Sequence, residues 1–138
     1  MASLKKILGL NIQVLDDDPV ENTRAWSSSN NLNTARNTKG SSAGTQNASS
    51  VFGGQTAPGF TDAHEQYNGT SWTETTELNT ARYTNAGAGT TTSALAPIGK
   101  NPGTNRVNNN ESWNGSAWSE VADVNSSRRD GGGTGASN

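Results

Sequence analysis

The sequence predicts an all-β protein assembled from four-stranded antiparallel units that recur every 46 residues. Three observations carry this. Trp26, Trp72 and Trp118 stand 46 residues apart, and self-similarity at a fixed period is the mark of a repeat architecture. Asn68-Gly69 and Asn114-Gly115 lie between short aromatic segments, and Asn-Gly supplies the positive φ angles of a type I′ hairpin turn. No stretch repeats its apolar residues at helical spacing.

The same offset carries Leu32 to Leu78 to Val124, and Asn33 to Asn79 to Asn125. Thr34-Ala35-Arg36 maps onto Thr80-Ala81-Arg82 and then Ser126-Ser127-Arg128. Glu65-Gln66-Tyr67-Asn68-Gly69 maps onto Glu111-Ser112-Trp113-Asn114-Gly115, Phe52-Gly53 onto Ile98-Gly99, and Ala48 onto Ala94. A register without insertion or deletion is expected.

Within one unit the elements follow in order. Asn37 to Thr45, and later Tyr83 to Thr90, are rich in small residues and read as a strand that fits where backbones crowd together. Ser49 to Phe52 reads as a short buried strand leaving through Gly53-Gly54. His64 to Tyr67 is a third strand, paired across the Asn-Gly turn with Ser71 to Thr75, which alternates and is Thr-rich. Four short strands per 46 residues are the unit of a β-propeller blade.

Composition fits such a fold once the repeat is seen. Leu, Ile, Val and Phe total 18 of 138 residues, while Asn, Thr, Ser and Gly total 67. Alone, that balance and a mean hydropathy of -0.79 read as a disordered segment. The net charge of -2 lacks the self-repulsion that usually accompanies disorder. One aromatic pair per blade, such as Tyr67 with Trp72, and a few residues such as Phe52 and Leu78 replace many leucines, because a buried aromatic removes roughly 150–250 Å² from water.

Several classes fall away. No run approaches the ~18 apolar residues of a membrane span. Gly9, Asn11 and Gln13 interrupt any signal-peptide core in the first 14 residues. There is no cysteine, hence no disulfide framework or thiolate metal site. A pI near 5.3 with no basic cluster gives no footprint for nucleic acid. The run Asp16-Asp17-Asp18 reads as a solvated turn before Pro19.

These residues resemble a kelch-type repeat, the blade of galactose-oxidase-like propellers. In that family a small-residue strand precedes an apolar strand ending in Gly-Gly, then an aromatic before a turn, then Trp. The matching elements are Asn37 to Thr45, Ala48 to Gly54, Tyr67 and Trp72, followed by Tyr83 to Thr90, Ala94 to Gly99, Trp113 and Trp118. Gly99-Lys100 stands where the family prefers Gly-Gly. The units Leu-Asn-Thr-Ala-Arg, Gly-Ala-Gly-Thr and Tyr-Asn-Gly-Thr-Ser-Trp, after a segment similar to Leu4-Lys5-Lys6-Ile7, are similar to kelch-like virion proteins of tailed phages of aquatic bacteria. The resemblance covers residues 26–138 and only loosely the first 25. It implies a non-enzymatic structural or accessory component of a virion (tail, fibre or surface decoration) that presents loops for attachment or assembly. Its partners would be other virion proteins and a host surface receptor or glycan. The alternative is a cellular kelch-type scaffold that binds a protein.

Blade count adds an expectation. The chain holds an outer strand around Trp26, complete blades about 36–78 and 82–124, and an inner-type strand from Arg128 onward. Residues 1–25 form an N-terminal strand or docking segment, with Leu4 to Leu8 and Gly9 to Leu15 as candidate strands. That makes three blade equivalents, whereas propellers close with about four to eight. Two chains closing a six-bladed ring is the expectation. A longer array, or strand addition of residues 1–25 onto another virion protein, is the rival.

No catalytic residue, metal site or cofactor is expected. His64 is the only histidine and reads as an exposed strand residue. One histidine and no cysteine exclude the copper site of galactose-oxidase-like enzymes. No nucleophile-elbow, zinc or phosphate-loop motif occurs. Glu65 and Glu111 recur at one position and read as structural acceptors for a neighbouring loop. Arg36, Arg82 and Arg128 occupy the connection between units, where five rigid donors suit a side chain that ties loop carbonyls together. Asn47, Asn68, Asn114 and Asn125 match the glycosylation pattern, two of them within the Asn-Gly turn. Recognition is expected where the units diverge, in the loops Gln55 to Asp62 and Asn101 to Asn108. Gln55, Pro58, Phe60, Asn101, Asn105 and Arg106 are the candidate binding residues.

Overall fold

Eight strands form among the described residues. The computed structural model describes residues 28–36, 40–57, 59–83 and 86–135, with the backbone alone at Thr104 and Asn105. Trp26, Pro58 and residues 1–25 lie outside the described residues, as do 37–39 of the first small-residue strand and 84–85 of the second.

The strands are β1 (Ser41–Thr45), β2 (Ala48–Phe52), β3 (His64–Tyr67), β4 (Trp72–Thr75), β5 (Ala88–Gly89), β6 (Ala94–Asn101), β7 (Thr104–Trp113) and β8 (Trp118–Val121). They form two four-stranded antiparallel sheets, ordered β1-β2-β3-β4 and β5-β6-β7-β8. The protein is all-β, with no helix among the described residues. After Arg128 no strand forms among the described residues. Arg128 makes an isolated bridge with Val107, and Gly89 N–H donates to Gly135 O at 3.3 Å.

The Asn-Gly turns differ from the expected two-residue type I′ form. Tyr67 pairs with Trp72, leaving a four-residue loop, and only the glycine has positive φ (Gly69 and Gly115, both 95°). One backbone bond closes each loop, from Asn68 N–H to Ser71 O at 3.2 Å and from Asn114 N–H to Ala117 O at 3.3 Å, and the asparagine side chain serves as the acceptor within it. Asn68 Oδ1 accepts from Thr70 N at 2.9 Å and Ser71 N at 3.0 Å; Asn114 Oδ1 does the same for Ser116 and Ala117, both at 2.9 Å.

The repeat is also not gapless. Ser49 pairs with Tyr67, whereas Ala94 pairs with Trp113, so β2 and β6 correspond at an offset of 45 while β3 and β7 correspond at 46. Gly53 and Gly54 have φ of 64° and 114°; Ile98 and Gly99, 45 residues on, have 58° and 131°. One residue is missing between Arg82 and the inner hairpin, and irregular pairing at Pro97/Gly99 and Gly99/Asn101 restores the register. The Gly-Gly counterpart in the second unit is therefore Ile98-Gly99. It holds a β-branched residue in the left-handed region at a cost of about 1–3 kcal/mol.

Packing follows from side-chain alternation. The face of the first sheet carrying Ser50, Phe52 and His64 meets the face of the second carrying Ala94, Ala96, Trp113 and Trp118. Phe52, Ala96 and Trp113 are at most 1% exposed in this core. Ring centroids lie 4.9 Å apart for Phe52–Trp118, 4.8 Å for His64–Trp113 and 5.5 Å for Trp113–Trp118. The pair Tyr67–Trp72, at 5.1 Å, is on the other face of the first sheet and is half-buried.

Where the small-residue segments converge, Cβ atoms would collide. A Cβ on Gly87 would lie 2.5 Å from Ser42 O, and one on Gly133 would lie 2.2 Å from Gly87 O. Glycine here is a requirement of close backbone approach.

Candidate functional site

Two features merit a site description: the buried charged ties between the units, and the edge where the units differ.

Arg36 and Arg82 sit in the segments that enter each sheet. Arg36 Nη1 donates to Gly53 O and, at 3.0 Å, to Ala63 O, while Nη2 pairs with Glu65 Oε1 at 2.9 Å. Glu65 also accepts from Asn33 N at 2.6 Å and Thr34 N at 3.2 Å. Arg82 repeats the arrangement, donating to Asn109 O at 2.9 Å and to Glu111 Oε1. Glu111 Oε2 accepts from Asn79 N at 2.7 Å and Asn79 Nδ2 at 2.9 Å. Both carboxylates lie on the third strand of their sheet, 29 residues after the arginine. Glu65, Arg82 and Glu111 are buried, so each charge depends on its partner. Desolvation lowers the pKa of Arg82, and the adjacent Glu111 opposes that shift. Arg128, the third member, is exposed and forms no ion pair with a described residue.

His64 is buried, not exposed as the sequence suggested. Paired opposite Phe52, it lies on the face that the second sheet covers. Its Nδ1 is 3.1 Å from Trp118 Nε1, and burial lowers its pKa to about 4. Trp72 is half-buried on the opposite face of the first sheet.

The divergent segments take different forms. Gln55 to Asp62 is a loop closed by a Gln55↔Phe60 bridge and by Thr56 N–H to Gly59 O at 2.7 Å. Asn101 to Asn108 is not a loop: it is the end of a long β6–β7 hairpin that turns at Pro102-Gly103. Backbone pairing of Asn101 with Thr104 closes that turn, so extended strand replaces the expected irregular segment.

The fold brings Phe60 onto Tyr83, ring centroids 4.9 Å apart at 9°, with Lys100 Nζ 5.8 and 5.7 Å from the two centroids. Sequence reasoning missed Tyr83 and Lys100 because each lies on a different element. The signal available was that both flank positions where the units stop matching. Arg106 is elsewhere, lining a cleft of about 260 Å³ with Ser127, Arg128, Arg129 and Asp130. Gln55 and Asn101 are half-buried. Asn105 is described only along its backbone.

Chemically, the Phe60–Tyr83–Lys100 patch offers a flat apolar face with an ammonium above it, which suits an amphipathic ligand bearing acceptors. Among the described residues no group of three His, Asp or Glu could hold a metal ion. No protein-family model matches this chain, and no curated protein matches it.

Proposed function

We propose that the chain is a stretch of kelch-like β-propeller without an enzymatic role, serving as a structural or accessory component of a phage virion. It would sit in the tail, a fibre or a surface decoration and present its hairpin tips for attachment or assembly. Other virion proteins and a host surface receptor or glycan are its proposed partners. The observation that supports the reading is a recurring buried tie beneath edges that differ between the units. The tie of Arg36 with Glu65 recurs as Arg82 with Glu111, while the segments at Phe60 and Pro102-Gly103 differ in form. The buried Arg–Glu pairs fix the segments that enter the sheets, Phe60, Tyr83 and Lys100 gather in one patch, and Arg106 lines a separate cleft. A repeated scaffold with divergent edges is the arrangement of a recognition protein. The virion assignment rests on the resemblance of the repeat units.

Mass spectrometry of purified virions tests the location, and the chain is expected among the particle proteins. Adsorption of particles carrying Phe60→Ala with Tyr83→Ala is expected to fall at least tenfold. Absence from virions, together with a protein partner from host cells, would move the reading to a cellular interaction scaffold.

A further inference from the structure

A cleft of about 330 Å³ beside the Asn68 turn is lined by Ala48, Gln66, Tyr67, Asn68, Thr73 and Thr91. Phe60 precedes β3 and Asn68 follows it, so this cleft and the aromatic patch lie at opposite ends of that strand. Gln66 and Thr73 are cross-strand partners on the face that the second sheet covers. Thr91 comes from the turn between β5 and β6 of that second sheet. No carboxylate, ammonium, guanidinium or imidazole is among the six. An ion entering here would lose water without gaining a counter-charge, so the cleft suits a neutral ligand.

Two carboxamides in the cleft are oriented by what they already bind. Asn68 Oδ1 accepts from Thr70 N and Ser71 N. Backbone N–H groups only donate, so the oxygen is committed to the turn and Nδ2 is left over. Gln66 Nε2 donates to Thr91 O at 2.6 Å. A carbonyl only accepts, so here Oε1 is left over. The same Thr91 carbonyl accepts from Trp113 Nε1 at 2.9 Å, which holds the β5–β6 turn from both sheets. Asn68 Nδ2, Gln66 Oε1 and the hydroxyls of Thr73 and Thr91 have no hydrogen-bond partner among the described residues, and none of them is sealed from solvent.

We propose that this cleft binds a neutral saccharide through two vicinal hydroxyl groups. A fixed donor beside a fixed acceptor is the complement of a diol: one hydroxyl accepts from Asn68 Nδ2 and its neighbour donates to Gln66 Oε1. The Thr73 and Thr91 hydroxyls, which donate or accept as needed, serve the bonds that remain. Both carboxamides are oriented before the ligand arrives, so little rotamer freedom is lost on binding. A peptide backbone presents the same donor and acceptor, but it brings side chains that need pockets of their own. This cleft supplies only Ala48 and Tyr67 for them. The glycan partner proposed above is of this chemical class, and the cleft's chemistry stands without the virion assignment.

The second unit is an internal comparison. At the 46-residue offset Gln66 becomes Ser112, Asn68 becomes Asn114 and Thr73 becomes Ser119. Asn114 makes the same two turn bonds as Asn68, so the fold itself requires that asparagine. Ser112 has no carboxamide oxygen to present. Gln66 is therefore the residue that turns the cleft into a site, and the site belongs to the first unit alone of the two.

Heteronuclear NMR of the full chain tests this, with methyl β-D-glucopyranoside (trans diols) and methyl α-D-mannopyranoside (one cis diol) as probes. At least one sugar is expected to move the Asn68 side-chain NH2 resonances saturably, with a Kd of roughly millimolar order, while those of Asn114 stay in place. Asn68→Asp keeps an acceptor for the turn and removes the donor. Gln66→Ser installs the residue of the second unit. Each is expected to weaken binding about tenfold, Asn68→Asp with unchanged melting temperature and unchanged Thr70 and Ser71 amide resonances. Thr73→Val, at an exposed position, should also weaken it. Failure of both sugars to bind, or binding indifferent to Asn68→Asp, would overturn the site. Equal binding of cyclohexanol would overturn the diol, and tighter binding of N-acetylglycine N-methylamide would make the cleft a peptide site. Absence of the chain from virions leaves these results untouched, and failure of the sugars to bind leaves the attachment role of Phe60 and Tyr83 standing.

Discussion

Trp118 donates its indole N–H to His64 Nδ1 at 3.1 Å, tying the two sheets together inside their shared core. An indole nitrogen can only donate, so toward Trp118 the unprotonated Nδ1 is the acceptor; the same Nδ1 lies 3.3 Å from Thr76 O, which only a protonated Nδ1 engages. Nε2 is buried with no partner, and the ring is edge-on to Phe52 and Trp113. Protonation would place a second hydrogen against the indole N–H and a charge in an apolar site.

Burial, partly offset by the Thr76 carbonyl, lowers the His64 pKa from 6.5 to about 4. Between those values the unfolded chain binds more protons than the folded one. The stability contributed is therefore full above pH 6.5 and declines as pH falls toward 4. The loss is roughly 3 kcal/mol in full. Urea unfolding from pH 7.5 to 4 should show this slope in the wild type. His64→Asn, the residue at the equivalent position 110, should flatten it relative to wild type. Identical slopes would refute the assignment.

Arg82 and Glu111 form a buried ion pair. Removing one partner leaves an uncompensated charge, so Glu111→Gln and Arg82→Met are each expected to cost about 3–5 kcal/mol. The double variant should cost less than the sum, and a double-mutant cycle in urea measures the difference. An additive result would show that the two charges are not coupled. Arg128→Met, at an exposed position, should leave chain stability within about 0.5 kcal/mol.

Adding one carbon to a glycine tests the convergence of the small-residue segments. Gly87→Ala and Gly133→Ala place a Cβ against backbone carbonyls, while a Cβ on Gly132 meets nothing within 4 Å. The first two are expected to lower stability by at least ~1–3 kcal/mol, and Gly132→Ala to be neutral or slightly stabilising. Equal effects at all three positions, read by thermal melting, would contradict the close approach.

Asn68→Ala removes an acceptor used by two backbone N–H groups in an exposed loop, at an expected cost of about 1 kcal/mol. Gly69→Ala forces a side chain into φ of 95° and should cost at least as much. If Gly69→Ala is neutral while Asn68→Ala is not, the loop has another conformation in solution.

Much of the strand plan was legible because its signals are local. Trp72 and Trp118, the Thr-rich segment after Asn68-Gly69, and the Arg recurring at the connections mark β4, β8 and the entries to the sheets. Asn-Gly also misled, since its preference for type I′ turns competes with the Asn side chain as an acceptor, and here the side chain wins. The gapless register failed for a related reason. Ile98 and Gly99 look like the match for Phe52 and Gly53 by residue type, whereas backbone pairing matches them to Gly53 and Gly54. The Gly-Thr pairs at 44–45 and 89–90 recorded that offset of 45 in the sequence.

By itself the sequence determined a period, an all-β plan and which residue types recur. Tertiary structure decided burial. His64 and Asn110 hold equivalent positions, yet His64 is fully buried beneath two tryptophans and Asn110 is only half-buried. The reason is that a strand's alternation only sorts residues between two faces, and what lies against each face is a property of the neighbouring sheet. The pairing of Arg36 with Glu65 and of Arg82 with Glu111 was decided the same way. The sequence shows the arginines and the glutamates recurring, and the fold closes the 29 residues between them.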